Sequence, residues 1–350
     1  MMRNLFNRAL KLMTGKSQHH QFVASNPNTT IPSGNNRQSW FELDRLHLPE
    51  VLIKPNGTTH RAVLRVTETS PNYRFELEQL DPPLEATVPQ PPEKQRLSFC
   101  CNICGGNNTD IALNLVTDRE ASSCTHCGSS LRMRSVIQAL TSEIYGKSLA
   151  LTSAPANRSL RGAGMSDWTG YAKPLAKLFG YQNTFYHQKP RLDILNVPES
   201  EFGQYDFLIS SDVMEHVPTD IDKAFANMAK MLKPGGFLVL TVPYKPDGEH
   251  EEFYPDLHEY RFISTGGKTF LYNRTKNGTE QIYDNLVFHG GDGFTLFVRM
   301  FSESSMIKML EASGFDGDIK IYHENDPEHG VVWSISWCLA IVAHKAGKIS

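Results

Sequence analysis

Two cysteine pairs constrain this chain more tightly than anything else in it. The stretch CCNICGGNNTDIALNLVTDREASSCTHCGSS sets Cys101 and Cys104 in one C-x-x-C and Cys124 and Cys127 in a second, with 19 residues between them. A tetrahedral ion bound at Zn–S distances of about 2.3 Å needs four thiolates in one small cluster, and two such turns deliver them. Gly105 and Gly128 follow the pairs and free the backbone to turn amides toward the sulfurs. The spacing predicts a four-cysteine zinc ribbon over 98–130. Cys100 is an alternative to Cys101 as ligand, although Cys101 alone gives the x-x spacing. A redox dithiol, an iron–sulfur cluster and a ribbon without metal fit the same residues. Four thiolates and no histidine leave no open position, so the expected ion is structural. Arg119, Arg132 and Arg134 nearby suit either phosphate contacts or neutralisation of the thiolates.

Five of the six cysteines fall in this cluster, which points to a reducing, cytoplasmic compartment rather than a secreted disulfide framework. Cys338 stands alone in VVWSISWCLAIVA, an apolar run that reads as a central strand, and is expected to be a packed thiol. The 350 residues can bury a full core, and no apolar run approaches the ~18 residues of a membrane span. A net charge of −3 is not that of a whole-protein nucleic-acid binder.

Charge is unevenly spread. Residues 1–40 hold Arg3, Arg8, Lys11, Lys16 and Arg37 and no acid. Within residues 1–16, Leu5, Phe6, Ala9, Leu10 and Met13 recur at roughly helical spacing. That pattern fits a peripheral helix on an anionic membrane surface, a transit peptide, or a solvated leader.

Composition divides the chain into a basic leader and flexible linker (1–39), a small β module (40–85) and a proline-rich spacer (86–97). The ribbon (98–130) and an α/β domain (131–350) follow. In the module, VLIKPNG, HRAVLRVTE and YRFELEQL read as strands separated by turn residues. A helix is expected over Leu131–Tyr145. From residue 158, strand candidates Ser159–Arg161, Asn183–His187, Tyr205–Ser210 and Phe237–Pro243 alternate with helix candidates Trp168–Phe179, Asp220–Leu232 and Ser302–Ser313. This alternation predicts a mostly parallel sheet.

Four motifs stand in fixed order here: RGAGMSDW, RLDIL, YDFLISSDVMEHV and MLKPGGFLVLTVP. Together they resemble the class I S-adenosylmethionine-dependent methyltransferases, in the branch with D-V-x-E-H-V after the fourth strand and L-K-P-G-G before the fifth. The resemblance covers about Ser159 to Leu240. It implies an α/β, Rossmann-like, seven-stranded and mostly parallel sheet. It also implies an S-adenosylmethionine site at the carboxyl ends of the strands. Gly162 and Gly164 would let the backbone approach the cofactor, Asp193 would accept from the adenine amino group, and Ser211 and Asp212 would lie beside the methionine moiety. Two positions depart from the pattern. Leu160 stands where an acid is usual before the first glycine, and Ser166 replaces a later glycine. The second strand ends without an acid, leaving His187 or Gln188 for the ribose diol, and Asp167 either stands in for the loop acid or caps the next helix. The interval His187–Asp193 is also too short for a crossover helix.

Methyl transfer to oxygen needs alignment and a base, and His216 just past the fourth strand is the best placed. An insertion at 244–301 reads as a substrate cap, carrying His250, His258, His289 and Asp292 among aromatic residues. His289 joins His216 as a catalytic candidate. These groups suit a polar small-molecule or glycan acceptor. An RNA methyltransferase that grips its substrate with the ribbon is a second reading, opposed by the charge and the lack of a dense basic stripe. A non-catalytic binding protein on the same fold is a third.

Overall fold

A computed structural model describes residues 95–289 and 295–347 and three short strands nearer the N-terminus. The leader (1–16), the linker and most of the spacer lie outside the described residues, as does Asp292. None of the described helices is long and apolar enough to cross a membrane. The three N-terminal strands belong to one compact unit. In it β1 (Leu52–Ile53), β2 (His60–Arg65) and β3 (Arg74–Gln79) form an antiparallel sheet in the order β1–β2–β3. Residues 95–350 belong to a second unit, so the cysteine-rich segment and the α/β region share one compact body.

That body begins with a hairpin of β4 (Arg96–Cys100) and β5 (Asn107–Ala112), then a single helical turn α1 (Leu113–Val116). The cysteine turns close on Gly105 and Gly128, both at positive φ (71° and 76°), where any side chain would be strained. Helix α2 (Leu131–Tyr145) starts at Ser130, whose hydroxyl accepts the Met133 amide, and stops at Gly146 in the left-handed region.

The main sheet is built from β6 (Asn157–Met165), β7 (Phe179–Thr184), β8 (Tyr205–Ser211), β9 (Leu232–Thr241), β18 (Ile319–Ile321) and β19 (Ile341–His344). Its order is β18–β19–β9–β8–β6–β7. The pairs β7–β6, β6–β8 and β8–β9 are parallel, while β19 runs antiparallel to both its neighbours. The sheet is therefore mixed and has six strands, not the expected seven. No strand forms between β7 and β8. There the chain folds back on itself, with the Phe185 amide bonded to Pro190 O and the Leu192 amide to Phe185 O, both at 2.9 Å. A return so short cannot supply the crossover that a further parallel edge strand requires.

Helices α3 (Thr169–Leu178), α4 (Ile221–Met231) and α5 (Glu303–Ala312) complete the layers. On one face, Met228 and Phe225 of α4 and Met306 and Leu310 of α5 pack on Leu208, Leu238 and Ile341. On the other, α2 and α3 pack on Phe207, Ile209 and Val239, and Phe99, Cys101, Ile103 and Cys124 of the hairpin segment join that same core. Burying both faces is why the centres of β8 and β9, Phe207–Ile209 and Phe237–Leu240, are unbroken apolar runs.

Three sequence expectations shift. The run RGAG is strand, not loop, because β6 continues to Met165. The second strand starts earlier than expected, with Phe179 and Tyr181 buried alternately along it. Of the run VVWSISWCLAIVA only the last residues join the sheet; Val331 makes an isolated bridge with Asp326, and Cys338, at φ 59°, turns the chain between them. Its thiol is buried and donates to Tyr244 O at 3.0 Å, and burial pushes it up to about 12, so it is a packed thiol.

Among its described residues, the insertion forms only short strands and turns. It comprises β10 (Tyr244–Lys245), β11 (Glu251–Glu252), β12 (Glu259–Thr265), β13 (Lys268–Arg274), β14 (Glu280–Tyr283), β15 (Phe288–His289), β16 (Thr295–Leu296) and β17 (Arg299–Ser302). Strands β12–β13–β14 form an antiparallel meander over a small core of Tyr254, Leu257, Leu271, Leu296 and Val298.

Candidate active site at the strand tips

Strand β8 delivers Ser211 and Asp212 to the carboxyl edge of the sheet, where Asp212 turns at φ 53°. Two arginines from the cysteine-rich side meet them. Arg119 grips Asp212 with both terminal nitrogens, at 2.7 and 2.8 Å, and its Nε donates to Cys338 O at 3.2 Å. Arg132, on the first turn of α2, makes a two-pronged contact with Glu120 (2.7 and 2.8 Å). It also donates to Ser211 Oγ at 2.7 Å and approaches Asp212 at 3.0 Å. Thr241 at the end of β9 donates to Asp212 at 3.1 Å. Burial alone would push the Asp212 carboxyl up, but Arg119 and then Arg132 outweigh it and hold it well below the ordinary carboxylate range. Arg119 and Arg132 thus serve the strand tip. Arg134, fully buried, stays with the cysteines and spends its donors on Ser129 O, Ser123 Oγ and Gly330 O.

Strand β6 ends at Met165, and the turn Ser166–Asp167–Trp168 leads into α3. Ser166 takes the left-handed conformation (φ 57°), so the serine stands where a glycine would be easier. Gly162 and Gly164 lie within the strand. A Cβ on Gly162 would fall 2.2 Å from Phe207, and one on Gly164 2.0 Å from Tyr181 Oη and 2.1 Å from Asp167 Oδ2. Both glycines therefore make room for buried neighbours. Asp167 is buried, accepts from Tyr171 Oη at 2.9 Å and from Tyr181 Oη, and exchanges bonds with the Asn183 amide through its own backbone. It caps no amide of α3, whose N-cap, Trp168, offers no side-chain acceptor. Burial pushes the Asp167 carboxyl up to about 7, and the bonds from Tyr181 and Tyr171 offset only part of that rise.

Asp193 follows in the loop after β7, half-buried, accepting the Leu195 amide at 3.0 Å and Asn196 Nδ2 at 2.9 Å. His187 is exposed at the tip of the folded-back loop, edge-on to Tyr186. Residues 185–192 contain no acid. The residues at the sheet edge suit the tail and base of an adenosyl amino acid better than its ribose. The uncapped first turn of α3 suits a carboxylate, and Asp193 suits an amine.

Beyond Asp212, the 3-10 turn Met214–His216 carries Glu215 and His216. The insertion holds this turn. His216 Nδ1 bonds Leu296 O at 2.8 Å, the Val298 amide donates to Glu215 O at 2.9 Å, and buried Arg299 donates to Met214 O at 2.8 Å and to Val217 O. His289 meets His216 edge-to-face at 4.9 Å and stacks on Phe297 at 4.6 Å. Burial lowers both imidazoles, and the His216 charge helps bring His289 to about 4. Glu215 is wholly buried, and burial followed by the Asp212 charge raises its carboxyl well above the usual range. His250, in contrast, pairs with Glu252 at 2.8 Å, which in turn binds Arg299. A separate cleft of about 500 Å³ beside the start of α4 shares Arg299 with this turn and is lined by none of the predicted site residues.

Cys101, Cys104, Cys124 and Cys127 converge, with sulfurs within 4.8 Å of one another. The Cys101–Cys127 and Cys104–Cys124 Sγ distances are both 3.8 Å. A tetrahedral ion at a Zn–S distance of about 2.3 Å needs sulfurs about 3.8 Å apart, so the residues fit zinc. The Gly106 amide lies 3.4 Å from Cys104 Sγ and Asn108 Nδ2 3.5 Å from Cys124 Sγ. Cys100 points away, to Gly105 O at 3.5 Å, and is not one of the four.

Sequence reasoning missed two groups. The partnership of Arg119, Glu120 and Arg132 with Asp212 joins residues about 90 apart, and its only advance signal was three arginines beside the cysteines. Glu215 was passed over although it stands beside His216 in the same motif.

Residues 169–318, from the first residue of α3 to just before β18, match a family model described as a methyltransferase domain. A search of curated proteins finds no match to the sequence. Among solved structures, similarity is found to an S-adenosylmethionine-bound amino pentose methyltransferase of calicheamicin biosynthesis from Micromonospora echinaspora. The identity is 16%, over 63% of this chain and 93% of that one, with a TM-score of 0.34. A sugar N-methyltransferase from Streptoalloteichus is 14% identical over 63% of this chain and 89% of its own, with a TM-score of 0.35. A putative sarcosine dimethylglycine methyltransferase from Galdieria sulphuraria is 27% identical over 27% of this chain, with a TM-score of 0.23, and the match spans only 43% of that protein.

Proposed function

We propose that this chain, a methyltransferase by its domain over residues 169–318, moves a methyl group from S-adenosylmethionine to a hydroxyl of a small polar acceptor such as a sugar. The observation that carries the reading is the placement of two imidazoles, His216 and His289, directly after the strand tip formed by Ser211 and Asp212. S-adenosylmethionine supplies an electrophilic methyl on a sulfonium. The chain's part is to hold and align. The first turn of α3 and the Arg119–Arg132 cluster take the amino-acid tail, Asp193 takes the adenine amine, and Ser166 lets the turn close over the strand end. The insertion clamps the His216 turn and excludes water from it, which is what an in-line displacement asks of a protein. His216 and His289 face the acceptor oxygen. The four cysteines hold a structural zinc ion that fixes Arg119, Arg132 and α2 in place.

Calorimetry with S-adenosylmethionine on the purified chain and on Asp193→Ala tests this. The parent should bind and the variant should bind at least tenfold more weakly. Transfer of labelled methyl groups to sugar and small-molecule extracts then identifies the acceptor. No binding by the parent would overturn the proposal.

A further inference from the structure

Glu215 is fully buried, and neither of its carboxylate oxygens has a hydrogen-bond partner. A buried acid with nothing to accept from and nothing to donate to is an expense that folds avoid unless another ligand completes the site. The groups beside it are nitrogen donors. One ligand atom each from Glu215, His216 and His289 lie within 4.8 Å of one another, and His216 Nε2 is 3.6 Å from Glu215 Oε1, too far for a hydrogen bond.

We propose that Glu215, His216 and His289 form a binding site for a first-row divalent cation, separate from the four-cysteine site. His216 is arranged as a ligand. Its Nδ1–H donates to Leu296 O at 2.8 Å, which leaves the Nε2 lone pair on the side of Glu215. Metal-bound histidines are held in this way, with the second ring nitrogen bonded to a backbone carbonyl. The turn that carries both ligands is fixed by Val298 and Arg299 through the backbone, so the donors do not drift apart. Donors around a cation at about 2.1 Å stand roughly 3 to 3.5 Å apart. The cluster therefore closes with ring and carboxyl movements of about an ångström. Two histidines and one carboxylate satisfy only part of a cation's shell and favour Mn²⁺, Fe²⁺, Co²⁺ or Zn²⁺ over Ca²⁺. Three protein donors leave positions of the shell open, unlike the closed tetrathiolate.

The use of this cation rests on the methyltransferase reading. An acceptor hydroxyl in an open position becomes more acidic and loses its proton to water. The new C–O bond then forms as the methyl–sulfur bond breaks, and sulfur keeps the electron pair. His216 and His289 are in this account ligands, not bases.

The test uses the full chain, dialysed against a mild chelator that leaves the tetrathiolate ion in place. Mn²⁺ binding is read from the loss of the free-ion paramagnetic resonance signal, and Co²⁺ and Zn²⁺ binding by calorimetry. One Mn²⁺ per chain is expected, weakened at least tenfold in Glu215→Gln and in His289→Gln, with thermal transitions like the parent's. His289→Gln is the safeguard should the buried position not tolerate change. No second ion at millimolar Mn²⁺, Co²⁺ or Zn²⁺, or unchanged binding in both variants, overturns the proposal. S-adenosylmethionine calorimetry on the same samples separates the two readings. Cofactor binding without a second cation sinks the cation site alone, and cation binding without cofactor sinks the methyltransferase reading and leaves the site.

Discussion

Replacing Asp167 by asparagine should flatten the dependence of stability on pH. Asp167 sits in the turn that joins β6 to α3, with Tyr171 and Tyr181 donating to its carboxyl and the charge of Arg132 also favouring its ionised form. Its carboxyl rises from 3.8 to about 7 because the interior penalises the charge more than two hydroxyl donors reward it. The folded state then holds a proton that the unfolded chain has released between about pH 4 and pH 7. Stability from this group is complete below pH 4, falls by about 1.4 kcal/mol per pH unit through that window, and levels off above pH 7. The full loss is about 4 kcal/mol. Asparagine keeps the shape and a carbonyl for one tyrosine, and it cannot ionise. Urea unfolding of parent and variant at pH 5, 6, 7 and 8 measures this directly. Relative to the parent, the variant should gain about 3 kcal/mol between pH 5 and pH 8, most of it below pH 7. Other titrating groups affect both proteins alike, so the difference isolates Asp167. Curves that stay parallel across the window would falsify the assignment. The Asn183 bonds tie the same turn to β7, so S-adenosylmethionine affinity should also weaken from pH 6 to pH 8 in the parent and not in the variant.

Other outcomes follow from neighbouring contacts. Asp212→Asn leaves Arg119 and Arg132 buried with one carboxylate fewer, which should cost about 3–5 kcal/mol in chemical denaturation, and the double variant Arg119→Met/Asp212→Leu should cost less. Cys124→Ser should weaken and shift the thiolate-to-cobalt absorption of cobalt-substituted protein and lower cobalt affinity. It should also reduce helix content, because Cys124 shares a core with Val136 and Leu140 of α2. Gly162→Ala drives a methyl into the Phe207 ring and should destabilise by about 1–3 kcal/mol, while calorimetry on the folded fraction finds cofactor affinity unchanged. A fall in affinity larger than the fall in stability would mean that the glycine faces ligand after all.

The alternation of strand and helix was readable because β8 and β9 carry the apolar runs Phe207–Ile209 and Phe237–Leu240 and α4 and α5 carry an apolar stripe. The helix limits moved by only a residue or two. The short interval between His187 and Asp193 signalled the lost crossover in advance. What failed was the reading of RGAG as a loop. Two glycines look like a turn in one dimension, and only the rings of Phe207 and Tyr181 reveal that they are clearances inside a strand. The convergence of the four cysteines was legible because their spacing is local. The partners of Asp212 were not, since Arg119 and Arg132 reach it across a long separation in sequence, and no spacing rule connects them. Glu215 illustrates a third limit, for its isolation from every donor is a property of packing and has no trace in a motif.

Arg119 lies between the two cysteine pairs and Arg132 just after the second, yet both end at the tip of β8. Any ion that orders those thiols therefore also positions the cations around Asp212, and any ligand that settles at Asp212 favours the ordered thiols in return. Such a dependence is reciprocal by thermodynamic necessity. On the proposed reading, the hold on a small organic molecule is expected to rise and fall with the supply of metal in the surroundings, although that metal takes no part in the chemistry.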